Sequence, residues 1–154
     1  MIVILPAFLL GVVCGLRAIT APAAVSWAAR LGLLQLQGTP LAFLGYAATP
    51  YILTLFAVGE LINDKLPKTP SRKTPPQFIT RVVTGLLVGA AIGAAHQYLV
   101  LGLIGGAIGA VLGTFGGSAL RAKLSESIGR DLPGALLEDA AAIILAVIVV
   151  IKLR

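Results

Sequence analysis

The stretch from Glu60 to Arg81, ELINDKLPKTPSRKTPPQFITR, is the one long polar passage in the chain, and it decides the topology. It contains five basic residues, two acidic residues and four prolines, so it is unsuited to the interior of a helix. Short loops rich in Lys and Arg remain on the cytoplasmic side of a membrane. We therefore predict that residues 63–77 form a cytoplasmic loop with apolar helices on either side.

The composition is that of an integral membrane protein. Hydrophobic residues make up 58% of the 154-residue chain and charged residues only 12%, whereas soluble domains contain about 25% charged residues. A helix needs about 20 apolar residues to cross a bilayer, so about five crossings fit and no soluble domain is left over. The net charge of +6 comes from loops and helix ends, as the positive-inside bias requires. The lipid bilayer is the expected partner, and nucleic acid is not.

The apolar runs and their start signals predict an all-α bundle of five transmembrane segments in a single domain, residues 1–154. The predicted helices are 4–29, 41–62, 78–100, 103–121 and 135–152, and the predicted cytoplasmic loops are 63–77 and 122–134. Gly102 is expected to allow a tight turn between the third and fourth helices. With both basic loops inside, the N-terminus is predicted to be cytoplasmic and the C-terminus external.

Prolines predict interruptions in the first two helices. In the first helix, Arg17 lies near the middle and Pro22 follows, so the helix should break between these two residues. In the second helix, Pro50 lies near the centre and should leave the carbonyl of Tyr46 without its helical partner. Both interruptions are predicted to lie at about the same depth in the membrane.

Glycine recurs at every fourth position in three of the predicted helices. Such spacing allows helix backbones to approach closely in lipid, and it predicts glycine-zipper packing within the bundle or between the subunits of a homo-oligomer. A pore lined by glycine is a minor alternative. The glycines are Gly11 and Gly15, then Gly85, Gly89 and Gly93, and then Gly105, Gly109, Gly113 and Gly117.

Three separated stretches carry a resemblance to a known family. They are GLRAITAPAAVSWAARLG at 15–32, GELINDKLPKTPSRKTPP at 59–76 and ALLEDAAAI at 135–143. In this order they resemble the signature regions of a family of small bacterial membrane proteins catalogued as a domain of unknown function. The resemblance covers nearly the whole chain and implies a compact multi-pass protein of the bacterial inner (plasma) membrane. It implies no particular activity, substrate or cofactor.

Arg17 is the sharpest functional signal, because an arginine in the middle of a membrane segment is costly and normally faces a partner or a water-filled cavity. Two interpretations are open. Arg17 could serve an anionic substrate or a gating ion pair, with the hydroxyl of Thr20 nearby. Alternatively, its guanidinium could donate to the carbonyls freed by Pro22 and Pro50 and lock two kinked helices together.

Charged residues at the predicted cytoplasmic helix ends complete the candidate pathway. Glu60 lies near a helix C-terminus, where the dipole disfavours negative charge, so we expect it to pair with Lys65, Arg81 or Arg121. The group could form a vestibule that binds or relays ions, or a network of salt bridges that fixes the helix ends. The candidate residues besides Arg17 and Thr20 are Glu60, Asp64, Lys65, Arg72, Arg81, Glu138 and Asp139.

The sequence contains no recognisable catalytic motif. Cys14 and His96 are single, so neither a disulfide within the chain nor a metal site built from several Cys or His residues is expected. There is no nucleophile motif and no phosphate-binding loop. We therefore expect no enzyme activity, no cofactor and no metal.

The leading functional hypothesis is a small transporter or channel-like conduit for an ion or small metabolite, working as a homo-oligomer because few helices enclose little space. The alternative is a structural or lipid-associating membrane protein that transports nothing. Its basic, proline-rich loop at 67–76 would then recruit a partner.

Overall fold

The computed structural model describes residues 3–154, and its regular elements are all helical. Two residues of the predicted domain, Met1 and Ile2, lie outside this range. The described chain contains six α-helices and one short 3-10 turn. They are α1 (Ile4–Leu16), α2 (Thr20–Arg30), the 3-10 turn (Ala42–Gly45), α3 (Thr49–Asn63), α4 (Pro75–Ala95), α5 (Leu99–Ile128) and α6 (Asp131–Ile151).

Three of the helices, α4, α5 and α6, are long and apolar enough to cross a membrane by length and composition. Their outward faces carry large apolar side chains, which suits contact with lipid. α1 is apolar but has only 13 residues, about 20 Å of helix. An all-helical membrane bundle is therefore supported, but five full-length crossings are not.

The predicted break in the first segment is present, and it divides the predicted helix 4–29 into α1 and α2. Arg17 ends α1 in an extended conformation, with φ −141° and ψ 113°, and α2 begins at Thr20. Pro22 is the third residue of α2, where the N–H that proline lacks would have no helical partner in any case. The break therefore lies before Pro22 and includes Arg17.

The predicted second helix, 41–62, starts too early in the sequence. α3 begins at Thr49, so Pro50 lies in its first turn rather than at its centre, which is where proline is best tolerated. The carbonyl of Tyr46 is outside the helix and accepts the N–H of Thr49 at 3.3 Å. The expected free carbonyl at mid-helix does not exist.

The turn between α4 and α5 lies at His96–Tyr98 and not at Gly102. Gln97 adopts φ +63° there, a left-handed conformation that is uncommon for a residue other than glycine. Gly102 lies inside α5, where a side chain would collide with the backbone of Gly89 and Gly93. The glycine is needed for helix packing and not for a turn.

The predicted loop 122–134 is almost entirely helical. α5 continues to Ile128, and Gly129, at φ +73°, ends it with an N–H donated to the carbonyl of Ser125 at 2.9 Å. α6 starts at Asp131, immediately after Arg130. The polar residues that suggested a loop instead belong to helix that extends beyond the apolar part of the bundle.

The glycines of α1, α4 and α5 pack against one another within the chain. A Cβ atom on Gly106 would collide with the backbone of Gly85, and one on Gly11 would collide with Gly106. α5 therefore lies between α1 and α4 at close backbone distance. Because these glycine faces are already buried, contact between subunits would require another face.

The contacts along α5 fix the directions of its neighbours. Gly105 lies against Ile4 and Gly117 lies against Leu16, so α1 runs parallel to α5, whereas Gly93 of α4 lies against the start of α5. Ile4 is therefore at the end of the bundle opposite to the polar segment 64–74. A cytoplasmic loop at 63–77 and a cytoplasmic N-terminus were both predicted. Because the two lie at opposite ends of the bundle, they cannot both be on the same side of a membrane that the bundle spans.

Candidate functional site

Ten charged side chains, five basic and five acidic, make ion pairs where α1, α3 and the polar segment 64–74 meet α4, α5 and α6. Eight of them form one connected set, and Glu60 with Arg81 forms a separate pair beside it. We call all ten together the ionic network. It contains five of the six acidic residues in the whole chain. Its members are Arg17, Lys65, Arg72, Arg81 and Arg121, with Glu60, Asp64, Asp131, Glu138 and Asp139.

Arg17 lies at the centre of the ionic network and is fully buried. Its Nε donates to Oδ1 of Asp139 at 2.6 Å, its Nη1 lies 2.7 Å from Oδ2 of Asp64, and its Nη2 pairs with Asp139. The two terminal nitrogens are close enough for charge pairing but lack hydrogen-bond geometry. The expectation that Arg17 donates to carbonyls freed by Pro22 and Pro50 is wrong, because both prolines lie in first turns. Since Asp64 directly follows α3, Arg17 lies directly beneath the polar segment.

The break exposes the C-terminal end of α1 and the N-terminal end of α2. At each end lies a charged side chain from another helix, opposite in sign to the dipole charge of that end. Oε1 and Oε2 of Glu60 accept the backbone N–H groups of Ala18 and Ile19 at 2.7 and 2.9 Å. Nη1 of Arg81 donates to the carbonyl of Gly15 at 2.9 Å. A carboxylate thus lies at the positive end of α2 and a guanidinium at the negative end of α1, as the helix dipoles favour.

Glu60 was expected to pair with Lys65, Arg81 or Arg121. Only Arg81 is near it, with Nη2 3.9 Å from Oε1. The carboxylate serves mainly as an acceptor for the broken backbone, a role that cannot be recognised without knowing that α1 ends at Leu16. Thr20, the remaining candidate, is buried next to the break, and its hydroxyl has no hydrogen-bond partner.

The polar segment 64–74 is bound to the bundle by ion pairs. Nζ of Lys65 donates to Oδ2 of Asp139 at 2.5 Å. Arg72 makes a two-point contact with Glu138, in which Nη2 lies 3.0 Å from Oε2. Arg72 is consequently only 8% exposed, so two of the four basic residues in this segment, Lys65 and Arg72, are directed inward. Glu138 and Asp139 therefore do more than offset the dipole of α6.

Arg121 is a functional candidate that the sequence analysis did not include. Nη1 donates to Asp64 at 2.7 Å, while Nε and Nη2 contact Asp131 at 2.9 and 2.6 Å. A signal for it was present in the sequence, since Arg121 continues the four-residue spacing of Gly113 and Gly117 on α5. That spacing places it on the face that packs against α1 and the polar segment.

Asp64 belongs to both the ionic network and the polar segment. Burial raises the pKa of Asp64, but the positive charges of Arg17 and Arg121 outweigh this effect and hold the pKa below its ordinary value. Asp64 is therefore ionised at neutral pH. It joins Arg17 to Arg121 as the shared acceptor between them.

An open groove lies above the ionic network. Its volume is about 480 Å³, and it runs between the polar segment and the end of α5. Its charged and hydroxyl-bearing walls include Asp64, Lys65, Ser71, Arg72, Lys73, Ser118, Arg121 and Asp131. We call it the polar groove. It gives solvent access to the outer side of the network, while Arg17 beneath it has no exposed surface.

Within residues 3–154, no group of His, Cys, Asp or Glu side chains is arranged to hold a metal ion. The imidazole Nδ1 of His96 contacts the carbonyl of Ile92 at 2.9 Å, and Cys14 is buried. Neither lies among acidic residues in a way that suggests metal coordination.

Comparison with known families places the chain. A family model described as "Domain of unknown function (DUF4126)" matches residues 4–152. The chain belongs to this family. No curated protein and no solved structure matches it. The resemblance to a domain of unknown function is thereby confirmed.

In this DUF4126 chain, the three stretches that carried the resemblance meet at one place. The stretches 15–32, 59–76 and 135–143 are distant in sequence, yet they supply seven of the ten residues of the ionic network. Of the nine candidate residues, only Thr20 makes no ion pair or hydrogen bond through its side chain. The candidate site of the DUF4126 fold is therefore the helix break, the ionic network and the polar groove together.

Proposed function

We propose that this DUF4126 protein is a small transporter or channel-like conduit for an ion or small metabolite in the bacterial inner membrane. The observation that carries this proposal is the broken helix α1–α2, whose two ends face Glu60 and Arg81. Broken helices with charged groups at their ends form the substrate and ion sites of many membrane transporters.

The energetic cost of the ionic network supports the same proposal. Ionisable groups inside a membrane bundle are expensive, and those that are retained usually mark an ion or substrate pathway. Packed apolar side chains of similar volume would often stabilise a bundle as well as buried ion pairs do. A structural role alone would not require ten charged residues around one helix break.

The polar groove suggests where a pathway would begin. It leads down to Asp64, which contacts Arg17 at the break. In the closed arrangement Arg17 is covered, so passage requires the polar segment to separate from α6. With the polar segment on the cytoplasmic side, as its basic residues favour, Ile4 lies at the external end of the bundle.

The alternative, a partner-recruiting protein that transports nothing, receives less support. Its proposed docking segment is folded against the bundle through Arg72 and Glu138, and only Lys68 and Lys73 among its basic residues are exposed. A homo-oligomer remains part of the proposal. Its interface would use an outward apolar face such as that of α3, where Leu55 and Phe56 are 71% and 61% exposed.

Solute permeation into proteoliposomes tests transport for several classes of substrate at once. Vesicles are shrunk osmotically with a panel of uncharged solutes, cation salts and anion salts, and reswelling is followed by light scattering. We expect reswelling by one class of solute to exceed that of empty vesicles, and Arg17→Ala to abolish the excess while the variant still assembles. Lys123→Ala, an exposed residue outside the ionic network, is the matched control.

If no solute enters faster than into empty vesicles, the conduit proposal is wrong. If Arg17→Ala prevents folding, the network has at least a structural role. The permeation result for the unmodified protein then decides whether it also has a transport role.

A further inference from the structure

The buried polar atoms that lack a partner in residues 3–154 all belong to three side chains associated with the helix break. They are Nη1 and Nη2 of Arg17, Nε of Arg81 and Oγ1 of Thr20. All three residues are more than nine-tenths buried. Three of the four atoms are obligate donors, and the hydroxyl can donate as well. The two Arg17 nitrogens lie against the carboxylates of Asp64 and Asp139, whereas Nε of Arg81 and Oγ1 of Thr20 have no acceptor. Buried donors without acceptors require an explanation, and these two favour an anion.

The start of α2 already holds an anionic group of defined chemistry. The two oxygens of the Glu60 carboxylate each accept one backbone N–H, and Arg81 lies beside them at 3.9 Å. Two parallel N–H donors, a helix N-terminus and a guanidinium form a receptor for any carboxylate of suitable size. Glu60 thus occupies a site that a dissolved carboxylate would fit.

We propose that the start of α2 is the binding site for a small monocarboxylate, which takes the place of the Glu60 carboxylate. This inference rests on the proposed conduit function and names its substrate class. The space released by the departing carboxylate limits the ligand to about the size of formate or acetate. Arg81 and Thr20 then supply the donors that have no acceptor when Glu60 is bound.

Charge balance couples this exchange to a proton. The ionic network holds five positive and five negative side chains, and an additional carboxylate would leave it with an uncompensated buried charge. When Glu60 leaves the N–H groups, one of its oxygens binds a proton that enters from the bulk solution together with the monocarboxylate, and an O–H bond forms. No electrons are exchanged. One monocarboxylate and one proton therefore enter together, and the net charge stays at zero.

Glu60 is partly open to solvent and has few charged neighbours. Its side chain is 19% exposed, so a proton can reach it. The charged and titratable groups within electrostatic reach are Arg81 of α4, Cys14 of α1 and Asp64, one turn further along α3. Arg17 lies beyond Asp64. Of the elements that pack against α3, the 3-10 turn has no charged residue, and α2 has only Arg30, at the end far from Glu60.

Thermal unfolding in detergent tests the site separately from transport. Sodium formate and sodium acetate are compared with sodium chloride at equal ionic strength, at about pH 5 and about pH 8. We expect both carboxylates to raise Tm beyond the effect of chloride, and more strongly at the lower pH, because binding requires a proton on Glu60.

Three variants test which residues the thermal response depends on. Glu60→Gln mimics the protonated acid, so its response to formate should be the same at both pH values. Arg81→Gln should lose the response. Glu126→Gln, the acidic residue outside the ionic network, should behave like the unmodified protein. If Arg81→Gln does not fold, the response of Glu60→Gln still decides the question. A folded, unmodified protein that is not stabilised by either carboxylate at either pH overturns the inference.

Uptake of radiolabelled formate into proteoliposomes, corrected for empty vesicles, separates the two proposals. Stabilisation by formate without uptake supports the site and contradicts transport. Permeation of other solutes without any stabilisation by formate or acetate supports transport and contradicts the carboxylate site.

Discussion

Nε of Arg17 donates to Oδ1 of Asp139 at 2.6 Å, although 122 positions separate the two residues in the chain. This contact ties the break between α1 and α2 to the first half of α6. Asp139 also accepts from Lys65 at 2.5 Å, so the same carboxylate ties down the polar segment. The position of the break therefore depends on the last helix of the chain.

Removal of Arg17 should destabilise the protein strongly. Arg17→Ala leaves Asp64 and Asp139 with less compensation in a buried site, and breaking such a pair costs about 3–5 kcal/mol of unfolding free energy. Reversible unfolding in mixed micelles measures this loss, with Lys123→Ala as the reference. Because Arg17 and Asp139 are in contact, the double variant Arg17→Ala/Asp139→Ala should lose less than the sum of the single losses. Additive losses would mean that the two residues are not coupled.

Close packing of α5 predicts opposite effects at two of its glycines. A methyl group at Gly106 would collide with the backbone of Gly85 and Gly89, whereas one at Gly116 would meet no atom within 4 Å. We expect Gly106→Ala to lower the unfolding free energy by about 1–3 kcal/mol. Gly116→Ala should raise it slightly, by up to about 1 kcal/mol, through helix propensity. Equal tolerance at both positions would contradict the packing of α4 on α5.

The contact between Arg72 and Glu138 should control access to the polar segment. Lys68 and Lys73 are exposed trypsin sites within it, but the fold holds the backbone close to α6. Glu138→Gln weakens this hold, so cleavage after these lysines should become several-fold faster, as judged by mass spectrometry of the fragments. Glu126→Gln should leave the cleavage rate unchanged. An unaltered rate in Glu138→Gln would show that other contacts hold the segment.

Asp64 should make the protein sensitive to acid. Its pKa in the folded protein lies below the ordinary value of 3.8, so ionised Asp64 stabilises the fold above that value. This contribution is lost as the pH falls from 3.8 through the folded pKa. Thermal unfolding of Asp64→Asn should therefore show a lower Tm than the unmodified protein at neutral pH, and the difference should shrink in that acidic range. A constant difference at all pH values would assign the effect to packing.

Cys14 reports whether the helix break is closed. It lies one turn before Arg17 and is fully buried, so a membrane-impermeant maleimide should not label it in folded proteoliposomes, while the detergent-unfolded control should react. Glu60→Ala leaves the N–H groups of Ala18 and Ile19 without their acceptor, and labelling of Cys14 should become measurable. Rapid labelling of the unmodified protein would contradict a closed break.

The sequence was informative about which residues matter and less so about what they contact. Arg17 and Glu60 could be selected because charge within apolar segments is rare and costly. Their partners could not be predicted, since Asp139 meets Arg17 only through the packing of α6 on α1. Glu60 was expected to pair with a basic side chain. Its actual partners, the backbone N–H groups of Ala18 and Ile19, are free to donate only because the helix is broken there, and the exact position of the break was not known from the sequence.

Helix boundaries were predicted poorly where polarity was taken to indicate a loop. Residues 122–128, AKLSESI, include Ala, Lys, Leu and Glu, which favour helix in water as well as in protein. Only Gly129 adopts a conformation that stops α5. Proline marked the start of α4, but Pro50 was predicted to lie at a helix centre and lies in the first turn of α3. The local rule does not distinguish these two positions without the preceding chain.

The equal numbers of positive and negative side chains in the ionic network have an electrical consequence. A membrane potential acts on each elementary charge moved across it with about 2.3 kcal/mol per 100 mV. A rearrangement that carries the whole network along the membrane normal moves no net charge and so gains nothing from the potential. The paired binding of one carboxylate and one proton also moves no net charge. Loading of this protein with a carboxylate and a proton should therefore proceed at the same rate in an energised and a de-energised membrane.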